Sequence, residues 1–181
     1  MRLSRFGGGV MIDFQSSGIV GYGEGSLDEL DICYLEKYWL NLESLVSYWA
    51  GLLNQAFIIN RDGPGVRCQS NMEYRLGGVL FTEEEFLDFK RLSIDLGAKS
   101  FAVIEYIGQS EWVDFSSLSF FRFAYPLDVS WGEMTSSCPI ADDVFMRPIR
   151  AFFVISDNGR IGKYVDSDAL HPYELFFSSN S

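Results

Sequence analysis

Paired carboxylates such as Glu105 and Asp114 could share general acid–base work, one ionised and the other protonated. A chain with 25 acidic residues offers many such pairs by composition alone, so this pair is weakly marked. His171 is the single histidine and directly precedes Pro172. With Cys33, Cys68 or Cys138 it would make a nucleophile–base couple, but no spacing brings them together. The cysteines are odd in number, widely separated and form no C-x-x-C pair, so they read as reduced, half-buried thiols. Neither a G-x-S-x-G elbow nor an H-E-x-x-H zinc helix occurs, and no cofactor or metal is expected. Gly18, Gly21, Gly23 and Gly25 are spaced like a phosphate cradle opening onto a helix. Asp28, Glu29 and Asp31 would then stand at the helix end that must receive the anion and repel it, so the segment reads as a glycine-rich loop.

The elements that would position any such groups fall into two halves. Leu42, Leu45, Val46, Trp49, Leu52 and Leu53 recur at helical spacing from Asn41 onward and predict an amphipathic helix. Thr82 with Glu85 forms a capping box, Glu83 and Glu84 suit a helix N-terminus as dipole-complementing charge, and Gly97 closes a second helix after Phe86, Phe89 and Leu96. Beyond Gly97 come four short β-rich runs: Phe101–Ile107, Leu118–Tyr125, Arg150–Ser156 and Arg160–Val165. Asn158-Gly159 between the last two predicts a tight type I′ hairpin, because both residues tolerate positive φ. Ser130-x-x-Glu133 predicts one short helical turn. The fold class expected is α+β: an antiparallel sheet in the C-terminal half with two main helices packed on one face.

At 181 residues, 48% of them hydrophobic, the chain suits one domain over 1–181, since two halves would each bury too little surface. The N-terminal stretch carries Arg2 and Arg5, but Gly7-Gly8-Gly9 and Asp13 interrupt any apolar leader, and no later run approaches a membrane span; a cytoplasmic protein is expected. Twenty-five acidic against 14 basic side chains give a formal net charge of −11. Nucleic acid and anionic membranes are therefore expected to be repelled, and a basic partner to be steered in.

Phe121-Arg122-Phe123-Ala124-Tyr125-Pro126, then Val129-Ser130-Trp131-Gly132-Glu133-Met134, then Asp157-Asn158-Gly159-Arg160-Ile161-Gly162-Lys163-Tyr164-Val165 follow one another in the last third of the chain. In this order they resemble small acidic bacterial immunity proteins of contact-dependent and polymorphic toxin systems, with Ile161 where that pattern carries tryptophan. The motif residues also serve as strand, cap and turn residues. The resemblance implies a protein without enzymatic activity that binds one cognate toxin domain and blocks its active site or substrate groove. If that toxin is a nuclease with a basic groove, carboxylates would compete there with phosphates. The toxin-binding residues expected on this reading are Glu111 and Asp114 around a Trp112 anchor, Asp142 and Asp143, and Asp166 and Asp168. The alternatives are a small hydrolase using a carboxylate pair, or a phage- or plasmid-borne adaptor or structural subunit.

Overall fold

β4 (Ser100–Tyr106) and β6 (Ala151–Ser156) are apolar at nearly every position, as expected of strands buried on both faces. They lie side by side in a six-stranded antiparallel sheet of order β3-β8-β7-β6-β4-β5. The computed structural model describes residues 29–60, 63–66, 72–76, 82–106, 121–136, 151–166 and 173–178. The other strands of this sheet are β3 (Met72–Leu76), β5 (Arg122–Pro126), β7 (Ile161–Asp166) and β8 (Tyr173–Ser178). β1 (Phe57–Asn60) and β2 (Gly63–Val66) form a separate two-stranded hairpin.

The mixed helix-and-strand class expected from the sequence is the class observed. The expectation that both main helices pack on one face is corrected, because alternate residues of the central strands enter two different cores. Phe101 and Val103 of β4, with Phe152 and Val154 of β6, pack against α1 (Glu29–Tyr38), α4 (Glu83–Asp95) and α5 (Trp131–Ser136). Ala102, Ile104, Phe153 and Ile155 pack on the opposite face against the helical run 42–56. That run is α2 (Leu42–Ser44), a π-helical turn (Leu45–Trp49) and α3 (Ala50–Ala56). Aromatic contacts dominate both layers. Phe101 meets Phe86, Phe89 and Tyr125, while Phe57 sits between Phe153 and Phe177. Each such fully buried ring contributes about 1.5–3 kcal/mol relative to exposure. The sheet also reaches outside the C-terminal half, since β3 pairs with β8.

Local signals place the ends of α4. Thr82 and Glu85 exchange both capping-box hydrogen bonds. At the other end Gly97 adopts φ 80°, its N–H donates to the Ile94 carbonyl, and the Ala98 N–H donates to that of Ser93. This is the double bond of a Schellman motif. At Ser130 only half of the expected cap forms. The Glu133 N–H donates to Ser130 Oγ at 3.1 Å, while the Glu133 carboxylate turns away to α1.

The β6–β7 hairpin is present, but its loop is four residues long rather than the expected two. The Ser156 carbonyl accepts from the Gly159 N–H at 2.9 Å, so Asp157 and Asn158 are the central turn residues and Gly159 follows with φ 67°. Side-chain bonds fix this longer loop. Asn158 Oδ1 accepts from the Ser156 hydroxyl and the Arg160 N–H, and Asn158 Nδ2 donates to the Leu96 carbonyl at the end of α4.

Two glycines are required where they stand, Gly162 by lack of space and Gly159 chiefly by its positive φ. A Cβ on Gly162 would lie 2.5 Å from the Phe177 ring and 3.1 Å from the Val154 carbonyl. One on Gly159 would lie 3.1 Å from Leu52, at a φ that β-branched residues resist. Gly51, inside α3, has nothing within 4 Å of its hypothetical Cβ. Gly162→Ala and Gly159→Val should therefore each lose about 1–3 kcal/mol in urea unfolding. Gly51→Ala should gain about 0.5–1 kcal/mol. Three equal midpoints would contradict this packing.

Candidate functional site

Of the residues expected to meet a partner, Asp166 is placed as the last residue of β7, in register with Ala151 on one side and Tyr173 on the other. Glu111, Trp112, Asp114, Asp142, Asp143 and Asp168 lie outside the described residues, as do His171, Cys68, Cys138 and the glycine-rich loop. Cys33 is exposed on α1, which corrects the expectation of a half-buried thiol at that position. Of the carboxylate pair considered for hydrolysis, Glu105 accepts the Phe121 N–H at 2.8 Å, and so fastens the start of β5 to β4. Among the described residues no group of three or more His, Cys, Asp or Glu side chains could hold a metal ion, and no helix is long and apolar enough to cross a membrane.

The three sequence motifs of the last third are built into the core. Phe121, Arg122, Phe123 and Tyr125 are buried in or beside β5, Met134 in α5, and Ile161 to Val165 along β7. Arg122 shows why a charged residue belongs there. Its Nε donates to the Leu40 carbonyl at 2.7 Å, its guanidinium lies 4.7 Å from the Trp39 ring centre, and its own carbonyl accepts the Leu40 N–H. With the Trp39–Phe123 bridge, this straps residues 39–40 along the outer edge of β5 and covers an edge open to strand addition. Burial lowers the Arg122 pKa to about 10, which leaves it charged at neutral pH.

Apart from the exposed Lys99, the other cations whose side chains are described are similarly engaged. Lys163 is buried in β7 with its Nζ 3.4 Å from Glu85, so the Glu85 carboxylate both caps α4 and neutralises a charge on the sheet beneath. Lys90 donates to the Val129 carbonyl at 2.7 Å and lies over Phe86. Arg160 donates to the Leu96 carbonyl. Arg91 pairs with Asp88 at 3.0 Å. Lys37 and the Tyr38 hydroxyl both donate to one oxygen of Glu133. These two hydrogen bonds, the lysine's first, hold the Glu133 carboxyl below the usual carboxylate range; Glu133 foremost and then Tyr38 push Lys37 up, while burial foremost raises Tyr38.

Reading the sequence missed two features of α4. Glu85 is not simply surface charge, because its partner Lys163 is remote in sequence and comes close only when β7 is in place. On the outer side of the helix, Leu87 and Ile94 are 54% and 58% exposed, although residues of their size are usually turned inward. Their departure from the buried stripe of Phe86, Phe89 and Ser93 is visible in the helical spacing.

Compared with known proteins, the chain matches no family model, no curated protein and no solved structure.

Two stability predictions follow from these ion pairs. Glu85→Ala removes both the cap of α4 and a carboxylate that neutralises the buried Lys163, so it should cost about 2–3 kcal/mol. Lys163→Met, which replaces the charge with an apolar chain of similar length, should cost about 1–2 kcal/mol at most; the reverse ranking in denaturant titrations would contradict the pairing. Glu133 has a folded-state pKa below its unfolded value, so its contribution is present above the ordinary carboxylate range and fades as pH falls through the depressed value. Both it and Lys37 are substantially exposed, so salt should weaken the effect. Glu133→Gln should flatten the loss of stability between neutral pH and about pH 3. Superimposable acid limbs for the variant and the wild type would contradict this.

Proposed function

We propose that this chain is an immunity protein that binds a cognate basic toxin domain, of nuclease type, and blocks its active site or substrate groove in the cytoplasm, with no catalytic activity of its own. The observation that carries the reading is the disposition of charge. Apart from the exposed Lys99, every cation whose side chain is described is buried, directed to a main-chain carbonyl or paired with a carboxylate. With a net charge of −11, the field that reaches solvent is negative, and a partner with a basic groove gains from it while nucleic acid and anionic lipid are repelled. The resemblance in residues 121–165 supplies the class of partner. Because its motif residues form core, cap and turn, they set the scaffold, and recognition falls to the surface around it.

Electrostatic steering acts chiefly on association rate and is screened by salt. Co-expression should therefore rescue cells from the toxin encoded by the adjacent gene. The purified pair should form a stoichiometric complex whose association slows by about tenfold or more between low and moderate salt. No rescue and no complex, or rapid association insensitive to salt, would reject the reading.

A further inference from the structure

Along α4 the solvent side carries two parallel rows. Leu87, Arg91 and Ile94 are spaced i, i+4, i+7 and make one; Glu84, Asp88 and Asp95 are spaced i, i+4, i+11 and make the next. All six residues are exposed. Arg91 is paired with Asp88, and Lys90 is folded back onto the Val129 carbonyl, so among the described residues Glu84 and Asp95 have no basic partner, and Leu87 and Ile94 beside them are exposed. Lone exposed hydrophobic residues are ordinary on a protein surface. Two on one helix side, with the Asp88-paired Arg91 between them and a row of carboxylates alongside, have the arrangement of a helix-docking seam.

We propose that this side of α4 is the docking surface for a basic protein partner, one that presents apolar side chains flanked by Lys or Arg, as an amphipathic basic helix does. The occupant is fixed by charge complementarity. A second copy of this chain would set acidic row against acidic row, and nucleic acid or an anionic membrane would meet the same repulsion. The assignment deepens the inhibitor reading and rests on it for the partner's identity. The sequence alone assigns Glu83 and Glu84 to helix-end stabilisation; the proposal gives Glu84 a second use.

The surface can be tested without the toxin, on the full-length chain, with two synthetic peptides of equal positive charge. One is an amphipathic Leu/Lys helix and the other a Ser/Lys peptide lacking the apolar row. Fluorescence anisotropy should show the wild-type chain binding the Leu/Lys peptide more tightly. Leu87→Ser with Ile94→Ser should weaken that binding on the order of tenfold, as expected for losing two apolar contacts, and leave the Ser/Lys peptide unaffected. Glu84→Gln with Asp95→Asn should reduce the salt dependence for both peptides. Val46→Ser, which removes an exposed apolar residue from the helical run on the opposite face, should change neither affinity. Unfolding midpoints matching the wild type exclude loss of fold. Equal affinity for the two peptides, no effect of the Leu87/Ile94 change, or an equal effect at Val46 would overturn the proposal. The same variants titrated with the neighbouring toxin domain separate the two ideas. A toxin that fails to bind the wild-type chain rejects the inhibitor reading, whereas a toxin bound equally by wild type and the Leu87/Ile94 variant removes α4 from the interface.

Discussion

One carboxylate fastens the layers together. Asp157, in the β6–β7 turn, accepts the backbone N–H groups of Lys99 and Ser100 and the Ser100 hydroxyl, while its own N–H donates to the Ser100 carbonyl at 2.9 Å. Its carbonyl accepts the Tyr48 hydroxyl from the helical run on one face. Beside it, Asn158 and Arg160 close the last carbonyl of α4 on the other face. The cation also suits the negative end of that helix. A four-residue loop thus ties both helical layers to the central strands. The position of α4, with its capping box over Lys163 and its exposed rows, depends on that anchor at one end and on the Glu85–Lys163 pair at the other.

Burial on two faces also explains the distribution of charge. A sheet covered on both sides leaves few places for a polar chain, and where cations enter it they bring partners: Arg122 the Leu40 carbonyl and the Trp39 ring, Lys163 the Glu85 carboxylate. Nearer the surface, Lys37 and Arg91 are held by Glu133 and Asp88.

The parts of this fold legible in the sequence are those whose signals are local. The capping box at Thr82 and the Asn158-Gly159 turn pair residues only a few positions apart, and both the helix and the hairpin are where those signals put them. β3 and β8 pair with each other across about a hundred residues, and the short segments around Tyr74 and Leu175 carry little pattern of their own. The two-sided placement of helices was also written in the chain, in the unbroken apolar runs of β4 and β6, which a sheet solvated on one face would have replaced by alternation. For the site, Leu87 and Ile94 lie off the buried stripe of their helix and could have been noticed. Glu85 could not, because its partner is 78 positions away and only the folded sheet brings Lys163 beneath it.

Methyl chemical shifts of the intact chain, followed while the proposed partner, a basic toxin domain, is added, test most directly whether the acidic side of α4 is a docking surface. The Leu87 and Ile94 methyl groups should shift and broaden at substoichiometric toxin, while Val46 on the opposite face stays in place. Perturbation centred on Val46, or none at α4 in a saturated complex, would contradict it.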